Sequence, residues 1–384
     1  MTRLSWTTAG ESHGKALVAV LSGLPAGLEL DVAAVDAELA RRQRGYGRGG
    51  RMKIERDAVE VLSGVRGGRT LGSPLALSIA NRDATIEKLP VPTNPRPGHA
   101  DLAGCQKAWS HDPRAVLERA SARETAARTA LGAVARQVLA AFGVEVFAHV
   151  VELGGERVDA AALERGLALP SAERRALRDG SDFQTLDPEG DGRLRAAVDA
   201  AREAGDSLGG VFEVVATGLP PGLGSYHAAS ERLSARLGAA LFSIPAIKGV
   251  ELGLGFEAAR RPGSQVQDAI RAGDGPWGRF ARPTNRAGGL EGGLTTGEPL
   301  VARAAMKPIP TLRAGVPTVD FESGEERLAT YQRSDVTSVP AASVVGEAVL
   351  ALELAAAFLE RFGGDTLEQV RGAWEAHREA LRRL

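Results

Sequence analysis

Residues 21–28 read "LSGLPAGL" and residues 216–223 read "ATGLPPGL". The first follows the apolar run "ALVAV" and the second follows "VFEVV". Each leads into apolar residues at helical spacing, "VAAVDAELARR" from Val32 and "ASERLSARLGAAL" from Ala229. The glycines and prolines between run and helix are turn formers. Further along, "GGRTLGSPLALSI" (67–79) is echoed by "GGLTTGEPLVARA" (292–304). Two such pairs in the same order predict a duplicated strand, turn, helix and strand unit. Its period is far too long for a solenoid.

The fold class that follows is α+β, a β-α-β sandwich with helices packed between two largely antiparallel sheets and an internal pseudo-twofold duplication. The whole chain, 1–384, reads as one domain: two halves at roughly 1–150 and 205–340, then C-terminal helices. Residues 115–143 carry helical periodicity without an internal proline and predict one long helix. From about Ala341 the chain is again helical, divided by "GG" at 363–364. Residues 58–65 and 248–256 read as strands. Residues 153–190 read as a surface excursion, and 258–297, rich in Gly and Pro, as a functional loop. No G-x-G-x-x-G turn or P-loop follows a strand, which argues against a doubly wound nucleotide fold.

Composition narrows the functional classes. The chain is 43% hydrophobic and 25% charged, the balance of a globular protein. A net charge of -1 supplies no bulk field for nucleic acid or anionic membrane. Cys105 is the only cysteine, so neither an internal disulfide nor a cysteine zinc site is expected, and no metal site is expected. The N-terminus lacks the apolar core of a signal peptide. The apolar stretch 344–362 contains Glu347 and Glu353, which marks a buried helix and not a membrane span. The cytoplasm is the expected compartment. Arginine supplies 41 of the 47 basic residues, so position and not abundance must locate an anion site.

Position is informative in five places. "AGESHGKA" (9–16) sets Ser12 beside His13, either a nucleophile with its base or a proton donor with a helper. "NPRPGHAD" (94–101) presents Arg96 and His99 on a backbone stiffened by prolines. "RRQRGYGRGGRMK" (41–53) spaces Arg42, Arg48 and Arg51 with glycines, a cradle for a polyanion. "KPIPT" (307–311) fixes Lys307 by the two prolines that follow it, and "QRSDVTSVP" (332–340) sets Arg333 and Asp335 two residues apart. In the predicted long helix Arg119 and Arg123 share a face, with Ser121 pointing elsewhere. His149 and His377 read as structural or solvated, and His227 as the start of a helix.

Taken together, "GESHGKALVAVLSGLP", "RRQRGYGRGGRMKIE", "PRPGHADLAG", "LERASARETAARTALGAV", "GGLEGGLTTGEPL", "KPIPT" and "RSDVTSVPA" closely resemble chorismate synthase, in order from near residue 3 to about residue 355. The chain departs from the family's pattern after Asn81-Arg82-Asp83, where an aromatic is usual, and at "SIPAIKG", where many members have Asn-Ala.

The resemblance implies an anti-1,4 elimination of phosphate and a ring proton from 5-enolpyruvylshikimate 3-phosphate, giving chorismate with the help of reduced FMN. It implies that His13 protonates the departing phosphate with Ser12 beside it. His99 would stabilise or protonate the reduced flavin, and Asp335, helped by Ser121, would relay the proton at flavin N5. By the same matching Arg42, Arg48, Arg51, Arg96, Arg123 and Arg333 surround the substrate's anionic groups. Arg119, Ala120, Ser121, Pro245, Ala246, Gly292, Lys307, Pro308, Ile309, Pro310, Thr311 and Arg333 match flavin-contacting positions. Arg42 and Arg48 also match an NADP site, with NADPH as a source of reducing equivalents. A homotetramer served by an external flavin reductase is implied as well. A phosphomonoesterase using Ser12 and His13, or an RNA-binding protein using the basic loop, are the competing expectations. The first predicts phosphate release without flavin, and the second predicts retention on polyanions with a steep salt dependence.

Overall fold

The duplicated pattern becomes two sheets of matching connectivity. The structure, a computed structural model, describes residues 3–49, 56–329 and 335–384. The first sheet holds β1 (Ser5–Ala9), β2 (Ala16–Ser22), β3 (Glu60–Ser63) and β4 (Leu75–Ala80) in the order β1-β2-β4-β3. The second holds β5 (Glu145–Leu153), β6 (Glu156–Arg157), β7 (Gly210–Thr217), β8 (Ile247–Leu252) and β9 (Leu300–Met306). Its order is β8-β9-β7-β5-β6. Without the short β6, the order β5-β7-β9-β8 repeats that of the first sheet. All these pairings are antiparallel. The helices are α1 (Val32–Gln43), α2 (Asp101–Ala108), α3 (Arg114–Ala120), α4 (Thr125–Ala140), α5 (Ala160–Ala168), α6 (Ser171–Asp179), α7 (Asp191–Ala204), α8 (Leu233–Phe242), α9 (Val339–Phe362) and α10 (Leu367–Arg383). Helix α1 joins β2 to β3, and α8 joins β7 to β8 in the same way.

Strand periodicity sets what faces inward. Leu17, Ala19 and Leu21 of β2 and Leu75, Leu77 and Ile79 of β4 are buried, and α4 packs on that sheet. Phe212, Val214 and Ala216 of β7 and Leu300, Ala302 and Ala304 of β9 are likewise buried, beneath α9. Helices α4 and α9 pack against each other, so the layer between the sheets is two helices deep. They approach closely at Gly132, where an added Cβ would lie 2.3 Å from the Ala348 Cβ. Helix α9 is apolar over most of its length because most of it is buried, with Glu360 and Arg361 exposed at its C-terminal end. Its 24 residues are long and apolar enough to cross a membrane, yet 94% of its most apolar stretch is buried, so it is the core helix that the sequence predicts.

Several expectations need correction. The segment 115–143 is not one helix, because α3 ends at Ala120, Ser121 is extended at φ -65° and ψ 142°, and α4 starts at Thr125. The strand expected over 248–256 stops at Leu252 and gives way to a 3-10 turn. The first half does not run to 150, because β5 already belongs to the second sheet. Residues 153–190 are more than a surface excursion: Phe183 and Thr185 are fully buried. The Arg174 and Arg178 guanidiniums of α6 lie 4.9 and 4.8 Å from the Phe147 ring, capping the outer side of β5. The stretch 258–297 contains a hairpin, Arg271–Gly275 with Gly278–Ala281, and a shorter pair at Leu290–Glu291 and Leu294–Thr295. His227 does not start a helix and is exposed in the loop before a 3-10 turn. The C-terminal division is as expected, with α10 opened by a Thr366–Gln369 capping box, although α9 begins two residues earlier, at Val339.

Candidate active site at one end of the first sheet

The connection between β1 and β2 is the stretch 10–15, "GESHGK". Gly10 adopts φ +104°, and a Cβ there would meet the Ala16 carbonyl at 2.3 Å, so only glycine lets the chain reverse so tightly. The reversal delivers Ser12 and His13 to the end of α3. The Ser12 amide donates to the Glu118 carbonyl at 3.0 Å. The His13 amide donates to Glu118 Oε2 at 2.8 Å. The His13 Nδ1 lies 3.0 and 3.1 Å from the two Glu118 oxygens, and Arg114 Nη1 donates to Oε1 at 3.2 Å. On the other side of the ring, Nε2 lies 3.9 Å from Asp83.

The interruption at Ser121 has a local cause and a geometric result. Its Oγ accepts from the Arg123 amide, as a capping serine does, and donates to Ser12 Oγ at 3.2 Å. Past the break, Arg123 turns inward and not onto a face shared with Arg119. Arg123 Nη1 donates to both oxygens of Asp57 at 2.6 and 2.7 Å, and its Nε donates to Asn81 Oδ1 at 2.9 Å. Asn81 in turn donates to the Glu11 and Gly14 carbonyls, so the serine–histidine turn and Arg123 form one hydrogen-bonded unit.

Arg42, on the last turn of α1, completes the cationic side. Its Nε donates to Thr125 Oγ1 at 3.1 Å and its Nη2 to the Ala122 carbonyl at 2.9 Å. The Nη1 lies 3.6 Å from Asp57, is buried, and has no hydrogen-bond acceptor among the described residues. Burial, with Arg48 and Arg123 nearby, outweighs the pull of Asp57 and lowers the Arg42 pKa to about 10. Arg48 Nη1 pairs with Asp335 at 2.8 Å, and the Asp335 carboxylate also accepts from the Gly49 amide and from Ser338 Oγ. Among the described residues no contact joins Ser121 to Asp335. Arg51 and Arg333 lie outside the described residues.

A second group forms around the buried Asp101 carboxylate. It accepts from Arg96 Nε at 2.7 Å and lies 2.5 Å from His99 Nδ1. Burial alone would raise the Asp101 pKa, but hydrogen bonds from His99 and Arg96 and the charge of Arg96 hold it well below the usual carboxylate range. Lys307 Nζ donates to the Gly98 carbonyl at 2.6 Å, and a Cβ on Gly98 would touch Lys307 and Pro310. Burial, and then Lys248, lower the Lys307 pKa. The Lys307 amide donates to the Ala246 carbonyl at 2.9 Å. Ala246 follows Pro245 and holds φ +70°, a left-handed conformation costly for alanine. Pro308 lies over Gly209, the Ile309 carbonyl accepts from Ser207 Oγ, and Thr311 is buried. Arg119, one residue before Ala120 closes α3, donates to the Gly10 and Thr8 carbonyls. Gly292 sits at the turn of the 290–295 pair, with open space where a Cβ would project, and no described contact ties it to either histidine.

The structure thus joins Ser12, His13, Ser121, Arg42 and Arg123 in one network, and Arg96, His99 and Lys307 in another. Glu118, Asp57, Asn81 and Asp101 organise these networks, and sequence reasoning did not single them out as site residues. Three of them lie in stretches already quoted, Asp101 in NPRPGHAD, Glu118 in LERASARETAARTALGAV and Asn81 in Asn81-Arg82-Asp83, so a local signal was there for all but Asp57. No described hydrogen bond joins Ser12 Oγ to the His13 ring, which speaks against a serine–histidine nucleophile pair. A buried guanidinium nitrogen such as Arg42 Nη1, with no acceptor among the described residues, suits an anion, and an imidazole anchored at Nδ1 can move a proton at Nε2.

Comparison with known proteins agrees. A family model described as "Chorismate synthase" matches residues 4–359. A chorismate synthase of Rubrobacter xylanophilus is 55% identical, over 97% of this chain and 96% of its own. Those of Geobacter sulfurreducens and Aquifex aeolicus are 52% and 51% identical, the former over 99% of both chains and the latter over 97% of this one and 96% of its own. A crystal structure of chorismate synthase is 43% identical and covers 100% of both chains with a TM-score of 0.82. By sequence and by fold, the chain belongs to the chorismate synthase family.

Proposed function

We propose that this lyase converts 5-enolpyruvylshikimate 3-phosphate to chorismate and phosphate by anti-1,4 elimination with reduced FMN, as the last step of the shikimate pathway. The observation that carries the reading is the buried Arg42 guanidinium, whose Nη1 has no hydrogen-bond acceptor among the described residues, with Arg48 and Arg123 close by. A phosphate or carboxylate is the chemistry that such a nitrogen accommodates. The residues proposed for the flavin fit an anionic, hydrogen-bonding cofactor too. Lys307 supplies a cation, the 307–311 backbone and Ala246 supply polar edges, and Gly98 permits close approach.

Reduced FMN, when bound, supplies electron density that lets an allylic phosphate depart where no side-chain base could remove so weakly acidic a ring proton. The chain's own residues then divide the remaining work. Arg42, Arg48, Arg96 and Arg123, with Arg51 and Arg333, orient the substrate's anionic groups. His13 gives a proton to the departing phosphate as its C–O bond lengthens, when neutralising charge helps most. Ser12 and Ser121 steady that end of the site. His99, backed by Asp101, stabilises the reduced flavin, and Asp335 handles the ring proton. Arg119, Ala120, Pro245, Gly292 and the 307–311 stretch complete the flavin contacts. NADPH, at Arg42 and Arg48 or through an external reductase, is the proposed source of electrons, and the working form is a cytoplasmic homotetramer.

The test is an anaerobic assay with the phosphorylated substrate. Chorismate and phosphate appear together only when reduced FMN is present. Phosphate release without flavin, or from simple monoesters, would replace this reading with a hydrolase.

A further inference from the structure

We propose that Glu118 is a positioning residue for His13: it holds the ring by Nδ1 and aims Nε2 at the bond that breaks. The inference rests on the reading of His13 as the acid that protonates the departing phosphate. Glu118 lies in the last turn of α3, and its side chain is 1% exposed. A carboxylate buried that deeply needs donors around it, and each of its donors here bears on one histidine. The His13 amide binds Oε2 at 2.8 Å, the ring Nδ1 lies 3.0 Å from Oε1, and Arg114 Nη1 steadies Oε1 at 3.2 Å. An ionised carboxylate only accepts, so Nδ1 carries a proton and Nε2 is the nitrogen that exchanges one.

Among the described residues, Glu118 from α3 and Asp83, 3.9 Å from Nε2 and from the loop after β4, face the ring, with Arg114 behind Glu118. In the transfer, the Nε2–H bond breaks and an O–H bond forms on the leaving phosphate. The N–H electron pair stays on the ring, which is then neutral with Nδ1–H still held by Glu118. The ring, 21% exposed, takes its next proton from water. A glutamine cannot replace the carboxylate, because its NH2 would turn a donor towards the His13 amide, Nδ1 or Arg114.

The experiment is a double-mutant cycle on kcat in the anaerobic assay. His13→Ala is expected to lose roughly 10²–10⁴-fold, the usual range for removing a general acid. Glu118→Gln is expected to lose roughly 10–10²-fold in kcat with KM within about twofold. The double variant should be no slower than His13→Ala alone, because groups acting through one another do not add. A Glu118→Gln enzyme at parental kcat, or a double variant showing the product of both losses, overturns the proposal. A His13→Ala enzyme at parental kcat instead removes the acid role itself, and the proposal with it. A measurement on the unmodified protein guards against misfolded variants. Its [15N]histidine spectrum should show His13 protonated at Nδ1 when neutral, and a neutral ring protonated at Nε2 alone overturns the proposal.

Discussion

Removing Glu347 tests how the α1 end of the site is held. Its side chain on α9 is 1% exposed and faces Arg136 at 2.5 Å, Arg41 at 2.9 Å and Arg178 at 3.3 Å. It also accepts from the Ala148 amide at 2.8 Å. Burial would lower the Arg41 pKa, but the charges of Glu347 and Glu38 hold it above the ordinary arginine value. Glu347→Ala leaves three buried guanidiniums with Glu38 as their main counter-charge, since Asp179 is in direct contact only with Arg178 and acts on Arg41 from farther off. Breaking a buried pair costs about 3–5 kcal/mol, and the orphaned amide adds about 1–3 kcal/mol. The sum, roughly 4–8 kcal/mol, is a large part of the stability of any domain. At about 2 °C per kcal/mol for large chains, Tm should fall by roughly 8–16 °C. Arg41 is followed in sequence by Arg42, so substrate KM should rise in the same variant. Scanning calorimetry of Glu347→Ala beside Glu347→Gln measures the first effect. A Tm within about 2 °C of the parent would refute the reasoning, because it would mean the guanidiniums never needed the carboxylate.

The same cluster predicts a pH dependence. Burial opposes ionisation of Glu38, but Arg41 and Arg136 lower its pKa from 4.5 to about 2. Its contribution, about 3 kcal/mol, is therefore present above pH 4.5 and lost as pH falls towards 2, so the urea midpoints of the parent and Glu38→Gln should converge over that window. Gly132→Ala gains about 1 kcal/mol of helix propensity. It must also push apart atoms only 2.3 Å from the new Cβ, at about 1–3 kcal/mol or more, so urea titration should show net destabilisation. Arg48→Ala should raise substrate KM by about 10–100-fold, the value of a charged hydrogen bond. Its effect on Tm should be smaller, and steady-state kinetics beside a melt separates the two.

The sandwich was legible because repeated turn residues mark where strands stop. The echo of "LSGLPAGL" and "ATGLPPGL" located β2 with α1 and β7 with α8 without reference to any distant contact. The break at Ser121 was not legible, because no glycine or proline announces it. Ser12, more than a hundred positions away in sequence, meets the Ser121 hydroxyl. The same limit applied to the site. Ser12, His13 and Ser121 stand out by residue type and do converge. Glu118 and Asn81 lie in stretches that carry the family resemblance and Asp57 does not, but for all three it is distant partners that give the residue its role. Arg96 was expected among substrate contacts, and its ion pair with Asp101 is visible only in three dimensions.

Symmetry of the sheets does not extend to their connections. In the first unit the strands that open it are joined by the short turn holding Ser12 and His13. In the second, the link between the corresponding strands β5 and β7 runs over 154–209 and carries α5, α6 and α7. The strand order repeats but the hairpin does not, since a helical link stands where the second sheet would carry its counterpart. With the proposed centre at Ser12 and His13, stoichiometric titration with a tight inhibitor should count one site per chain.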